Sequence, residues 1–157
     1  LNPKDKFPMI IDYLFGKGIS QIIPMDKLNF TFSKRTGKIK NVLLDDKLIA
    51  IFRPDGSIAL TINGAELLVK HPKFAENCVV VKDEARDFIA MGRSVFVKHV
   101  ISCGYRIKPK SEVVVVDTNG DVIAVGKALL SAKMMKNFKS GVAVKVRKGI
   151  KTYNGMI

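Results

Sequence analysis

Apolar positions recur along the chain in two rhythms. Met9-Ile10-Ile11-Asp12-Tyr13-Leu14-Phe15 reads as a short helix, and Gly16-Lys17-Gly18 behind it supplies the glycine that ends helices. The period then drops to two. In Leu28-Asn29-Phe30-Thr31-Phe32-Ser33, the residues Leu28, Phe30 and Phe32 fall on one face, as in a half-buried strand. Arg35-Thr36-Gly37-Lys38 predicts a turn into a second strand over 39–44, and Asp45-Asp46-Lys47 a turn into a third over 48–52. Pro54-Asp55-Gly56 turns again into a fourth over 57–62. Residues 28–62 therefore predict an antiparallel meander. Asn63 with Glu66 three residues on resembles an N-cap and its reciprocal acid, opening a short helix through Leu67 and Leu68.

The pattern breaks at His71-Pro72-Lys73, which sets expected domains at 1–75 and 76–157. In the second, Cys78-Val79-Val80-Val81-Lys82 reads as a buried strand, and Asp83-Glu84 open a helical stretch over 85–91 with acids at its positive end. The four valines 113–116 precede Asp117-Thr118-Asn119-Gly120-Asp121, a strong tight-turn signal. Val122-Ile123-Ala124-Val125-Gly126-Lys127-Ala128 returns, a helical patch covers 131–138, and a last strand runs over 142–147. The expected fold class is α+β: a small N-terminal antiparallel sheet with helices, then a C-terminal mixed β pseudo-barrel.

Charge changes this picture most. Of 157 residues, 27 are Lys or Arg and 14 are Asp or Glu, a net +13 that favours a polyanionic partner, nucleic acid above all. The excess is +5 over 1–75 and +8 over 76–157. Asp121 is the last acid, and the 36 residues after it carry eight cations. A stretch of one sign is a candidate phosphate surface. No apolar run approaches the roughly 20 residues that span a bilayer, and the N-terminus lacks the apolar stretch of a signal peptide, so no membrane partner and a cytoplasmic location are expected. Two cysteines, Cys78 and Cys103, and two histidines, His71 and His99, form neither a CxxC nor an HxxxH pair. No metal site, disulfide or cofactor is expected from them.

The second half resembles a PUA domain, the pseudo-barrel RNA-binding module of many tRNA- and rRNA-modifying enzymes. The residues that carry the likeness are Gly92-Arg93-Ser94-Val95-Phe96, Ile107-Lys108-Pro109-Lys110-Ser111-Glu112-Val113, the hairpin 117–121, Ala124-Val125-Gly126-Lys127-Ala128 and Gly141-Val142-Ala143-Val144. One departure is Lys110-Ser111, where the family usually has Gly-Asp. In the first half, Ile11-Asp12-Tyr13-Leu14-Phe15-Gly16-Lys17-Gly18, Ser33-Lys34-Arg35-Thr36-Gly37-Lys38-Ile39-Lys40 and the strand ending in Arg53-Pro54 are similar to the segment before the PUA domain in archaeal archaeosine-forming tRNA-guanine transglycosylases. The related archaeosine synthase carries comparable domains. Nearly the whole chain thus resembles a C-terminal portion of such enzymes.

That resemblance implies RNA contacts at Arg93, Ser94, Lys98 and His99, which follow the helix of 85–91, with Lys127, Arg147 and Lys148 flanking the same groove. It implies tRNA, gripped near its acceptor stem, as a partner, and a separate transglycosylase catalytic subunit as another. The transglycosylase barrel and its zinc site do not fit in this chain, so a noncatalytic RNA-binding role is expected. A freestanding PUA protein of ribosome assembly or translation is the alternative, and an enzyme with an unrecognised site the third. Asp45-Asp46 is a tempting carboxylate pair, but a turn favours aspartate for backbone reasons. Phe30, Phe32, Phe52, Phe96 and Phe138 are expected in the core, with Cys78 and Cys103 as small buried residues. Tyr13 and Phe15 are candidates for an exposed patch at the helix end.

Overall fold

The computed structural model describes residues 2–155, with side chains through 152. They form two compact units, Leu1–Phe74 and Ala75–Ile157.

Unit 1 opens with helix α1, Pro3–Phe15, which starts six residues before the expected Met9. Asn2 caps it by accepting the Lys4 N–H at 2.9 Å, and Pro3 takes the first helical position, where no N–H is needed. Pro8 lies inside the helix and forfeits one backbone bond near its start. Phe7, Ile11 and Phe15, four apart, form the buried stripe. Phe7 meets the rings of Phe30 and Phe52 with centroids 6.2 Å away, and Phe15 meets Phe74 at 5.3 Å. Phe15 is therefore core, while Tyr13 is exposed, so the two do not form a joint patch. Burial disfavours the Asp12 carboxylate, but hydrogen bonds from Ser20 and Gly18 outweigh it and hold its pKa below the ordinary value.

The meander follows as expected: β1 Leu28–Phe32, β2 Ile39–Leu44, β3 Lys47–Phe52 and β4 Ile58–Leu60, each antiparallel to the next. Asp45 and Asp46 make the β2–β3 turn with φ of 49° and 66°, the primed geometry that matches strand twist. A bulge in β2 shifts its pairing with β1. Thr31 faces Asn41 but Phe32 faces Ile39, which leaves Lys40 as the extra residue and Phe32 48% exposed. Helix α2, Ile62–Leu68, is capped by Thr61 and not by Asn63: the Thr61 hydroxyl accepts the Gly64 N–H at 3.1 Å and donates to the Leu48 carbonyl at 2.6 Å.

Unit 2 is a six-stranded sheet that almost closes. Its elements are β5 Cys78–Val81, helix α3 Asp83–Ala90, β6 Val95–Phe96, β7 Val100–Cys103, β8 Glu112–Val116, β9 Val122–Ala128, helix α4 Ala132–Asn137, β10 Val142–Gly149 and helix α5 Ile150–Gly155. The order is β6-β10-β9-β8-β5-β7, with β5 and β8 parallel and the other pairs antiparallel. The two outermost strands, β6 and β7, are consecutive in the chain and joined by the single 3-10 turn Val97–His99. The polypeptide itself thus bridges the gap between the edges. Val79, Val81, Ile89, Val95, Val113, Val115, Ile123 and Val144 fill the interior.

At the β8–β9 hairpin, Asp117 is buried and satisfied. It accepts the Asn119 and Asp121 N–H groups at 2.9 and 3.0 Å and pairs with Arg86 Nε at 3.0 Å. Desolvation works against its charge, but Arg86 and these N–H groups hold its pKa below the ordinary value. Gly126 is a close-approach position, since a Cβ there would sit 2.2 Å from the Lys145 carbonyl oxygen. Lys110, where the family usually has glycine, adopts φ 75°. Helix α5 is not expected from the sequence, and Phe96 and Phe138 are 45% and 47% exposed instead of core. Phe96 ends the two-residue strand β6, paired with Val142 of β10, and Phe138 is the C-cap residue that ends α4. Among the described residues no helix is long and apolar enough to cross a membrane.

Candidate nucleic-acid interface

The short strand β6 holds the first group of predicted residues, one pair at each end. On its entry side, α3 buries Ala85 and Ile89 and turns Phe88 and Met91 outward, 64% and 62% exposed. The chain then reverses at Gly92, φ 100°, where a Cβ would stand 3.1 Å from Thr152 Cγ2 of α5. The Arg93 N–H donates to the Phe88 carbonyl at 3.1 Å, so the loop is fixed to the helix while the Arg93 side chain stays exposed. Ser94 is half-buried. On the exit side, Lys98 is exposed and the half-buried His99 meets the Phe96 ring edge-on, with centroids 6.4 Å apart. The Val97 N–H donates to the Gly141 carbonyl at 2.9 Å, which ties this turn to the start of β10.

The second group lies on the other side of β10. Arg147 and Lys148 are within this strand, which runs two residues further than the expected 142–147, and do not follow it. Register places Glu112 of β8 opposite Lys127 of β9, and Lys127 opposite Lys145 of β10, so these three share one face of the sheet. A bulge makes Arg147 the extra residue between Val146 and Lys148. Its guanidinium forks onto the Glu112 carboxylate, one Nη1–Oε1 bond being 3.1 Å and the other, Nη2 to Oε2, shorter. Arg147, itself exposed, is thus committed to an acid, whereas the exposed Lys145 and Lys148 make no ion pair among the described residues. β10 is the common neighbour of both groups: β6 pairs with its first half and β9 with the rest.

Phe88 and Met91 belong to these surfaces and are not singled out by the sequence reading, which has Lys145 and Lys151 only among the eight cations after Asp121. Phe88 and Met91 lie off the stripe set by Ala85 and Ile89, which is a signal the sequence contains. The Lys151 ammonium reaches Asp87 of α3 at 3.1 Å, a pairing no linear pattern reveals. Neither cysteine offers a nucleophile. Burial pushes the Cys78 thiol up to about 12, and burial also raises that of Cys103, whose Sγ lies 3.6 Å from the Ala132 carbonyl oxygen. Among the described residues no group of three His, Cys, Asp or Glu could hold a metal ion.

Comparison with known proteins agrees with this architecture. Residues 77–150 match the PUA domain, and residues 6–74 match the patch-forming domain C2 of tRNA-guanine transglycosylase. The tRNA-guanine(15) transglycosylase of Methanothermobacter thermautotrophicus is 37% identical over 146 residues, and that of Thermoplasma volcanium 39% over 146. These alignments cover 92% of this chain but only 22% and 23% of those enzymes, so the chain spans less than a quarter of their length. Among solved structures, a hypothetical protein of Pyrococcus horikoshii is similar with a TM-score of 0.74 and 25% identity, covering 93% of this chain and 89% of that one. A conserved PUA domain protein of Thermoplasma acidophilum shares the fold, with a TM-score of 0.66 at 19% identity over 93% of this chain and 89% of its own. The chain therefore joins a segment that matches the C2 domain of tRNA-guanine transglycosylase to one that matches the PUA domain, and over 92% of its length it is similar to archaeal tRNA-guanine(15) transglycosylases.

Proposed function

We propose that this chain is a noncatalytic, cytoplasmic tRNA-binding protein, the PUA-containing subunit of a split archaeosine tRNA-guanine transglycosylase. Its PUA unit grips the acceptor-stem region, and the complex presents the D-loop to a separate catalytic barrel for base exchange. The observation that carries this reading is the C2 likeness over residues 6–74 followed by the PUA likeness over 77–150, the same span that aligns with the tRNA-guanine(15) transglycosylases along 92% of this chain. Chemistry supports it. Asp117 and Glu112, with side chains 4% and 6% exposed, are each held by an arginine, and the Cys78 thiol stays protonated near neutral pH. Arg93, Ser94, Lys98 and His99 around β6, with Lys127, Lys145 and Lys148 beyond it, supply cations and donors for phosphates and 2′-hydroxyls, the features by which A-form RNA is bound.

A freestanding RNA-binding protein of ribosome assembly or translation is the second reading. What favours it is the Pyrococcus horikoshii chain, in which the same two-unit span makes up 89% of a separate polypeptide. A tagged copy recovered from native lysate separates the two. Co-purification of a transglycosylase catalytic chain together with tRNA is the expected result. Ribosomal RNA or ribosomal proteins, without such a chain, would transfer the assignment to the second reading.

A further inference from the structure

One end of unit 1 is concave, and the charged side chains that line the concavity are all cationic. In an antiparallel meander the first and third connections fall at one end of the sheet and the second at the other. Loop 33–38 and turn 53–57 therefore share an end. With Lys6 and Ile10 of α1 they line a cavity of about 960 Å³. Six lining residues are cations, Lys6, Lys34, Arg35, Lys38, Lys40 and Arg53, and among the described residues no carboxylate lines it. All but the half-buried Arg53 are exposed, and those five make no ion pair among the described residues. The Asp45-Asp46 turn sits at the far end of β2, roughly 20 Å away at the usual strand rise. The acid that does belong to this end, Asp55, accepts the Ser57 N–H at 2.9 Å and the Ser57 hydroxyl at 2.6 Å.

The groove is a built feature. The Ser33 N–H donates to the Lys38 carbonyl at 2.8 Å and the Gly37 N–H to the Ser33 carbonyl at 2.8 Å, with Gly37 at φ 73°. The Thr36 N–H donates to Ser33 Oγ and the Lys38 N–H to Thr36 Oγ1, both at 3.3 Å. Arg53 is fixed by Ser57 Oγ at 3.2 Å and the Ile58 carbonyl at 3.1 Å. The bulge at Lys40 re-aims that side chain, and leaves the Phe32 ring in the same concavity, 48% exposed. Clustered like charges with no internal partner weaken a fold, and an external polyanion removes that repulsion.

We infer that this groove binds a segment of RNA sugar–phosphate backbone, with Phe32 as a platform for a base or ribose. Thr31, Ser33, Thr36 and Asn41 line it as neutral polar groups suited to phosphate oxygens and 2′-hydroxyls. An exposed aromatic among cations is the recurring arrangement for unpaired nucleotides, whose bases stack on the ring while the cations meet the phosphates. The inference rests on the RNA-binding reading above and adds a contact surface outside the PUA unit.

The test uses the intact chain and a tRNA transcript, with Kd measured across a salt series. Lys34→Gln/Arg35→Gln/Lys38→Gln is expected to weaken binding about tenfold and to flatten the log–log salt slope by about 2, since each phosphate no longer neutralised removes roughly 0.7–0.9 from it. Ultraviolet cross-linking of a thiouridine-substituted transcript to the unaltered chain is expected to label the peptide that contains Phe32, and needs no variant to fold. Unchanged Kd and slope, with cross-links confined to unit 2, would overturn the inference. If Arg93→Gln/Lys98→Gln weakens binding in that same experiment, the RNA-binding reading stands without it. Absence of tRNA binding by the unaltered chain sinks both. Displacement of the transcript by polyglutamate, with no cross-link in unit 1, assigns the groove to an acidic protein and overturns the RNA assignment.

Discussion

Lys40 in unit 1 and Arg147 in unit 2 stand in the same kind of place with opposite surroundings. Each is the extra residue of a bulge, Lys40 in β2 where the register slips between Thr31 and Phe32, Arg147 in β10 where it slips between Val146 and Lys148. Arg147 reaches across to β8 and forks onto Glu112, a carboxylate only 6% exposed. Lys40 meets no acid among the described residues and faces a cavity lined by five other cations. Net charge misjudges the pair. Unit 2 carries the larger excess, +8 against +5, yet Arg86, Arg147 and Lys151 are all held by its own carboxylates. Unit 1 has the smaller excess, yet Lys6, Lys34, Arg35, Lys38 and Lys40 line one cavity and make no ion pair among the described residues.

The largest expected effects test whether each unit stands on its own. Gly126→Ala would push a Cβ to 2.2 Å from the Lys145 carbonyl oxygen in unit 2, and Gly64→Ala one to 2.0 Å from that of Ile49 in unit 1. Neither backbone has a flexible side chain to yield, so each change costs about 3 kcal/mol. Both cysteines are in unit 2, and the buried Cys78 reacts only when that unit opens. Thiol labelling in native buffer should therefore quicken about 100-fold in Gly126→Ala and stay unchanged in Gly64→Ala. Equal acceleration in both would show the two units opening as one.

Next in size is the buried pair of unit 2. Asp117→Asn retains the shape of the side chain and removes its charge from Arg86, costing about 2 kcal/mol near neutral pH. The folded pKa of Asp117 lies below the ordinary 3.8, so the carboxylate contributes fully above about pH 4 and loses its contribution as pH falls through the folded value. The gap in urea midpoint between the natural chain and the variant should narrow steadily below about pH 4. A gap independent of pH would mean that shape and not charge carries the effect.

What the sequence reveals follows from range. The β2 strand and the β8–β9 hairpin are set by alternation and by turn residues a few positions apart, and both stand where the pattern places them. The start of α1 is obscured because Pro8 masks a helix that Asn2 and Pro3 have already begun. The cap at Thr61 escapes a sequence reading because its hydroxyl is oriented by the Leu48 carbonyl of a neighbouring strand, 13 residues away. At the interface, the one-signed run after Asp121 is plain in the sequence, but Arg147 finds Glu112 35 residues upstream, and only strand pairing brings them together. Lys110 is a departure readable in the sequence whose consequence is structural, since a lysine holds φ 75° where the family favours glycine. Lys110→Gly should raise stability by about 1 kcal/mol, less the entropy glycine loses on folding, and a thermal melt reads it directly. No rise in Tm would mean that local hydrogen bonds already offset the left-handed backbone.

The smallest effect bears most directly on the two bulged cations. Glu112→Gln withdraws the charge that holds Arg147 and leaves Lys127, Lys145 and Arg147 on one face without an acid between them. Affinity for a tRNA transcript should improve about two- to threefold, about 0.5 kcal/mol, and the salt slope should steepen as one more cation becomes available to phosphate. Arg147→Gln in the otherwise natural chain should leave Kd almost unchanged, because its guanidinium is already committed. Lys40→Gln, at the matching bulge of unit 1, should weaken binding by about the same two- to threefold. If Arg147→Gln weakens binding as much as Lys40→Gln, the fork onto Glu112 gives way to phosphate in the complex. The two bulges then differ only in the free protein, and the carboxylate serves to store an RNA contact until RNA arrives.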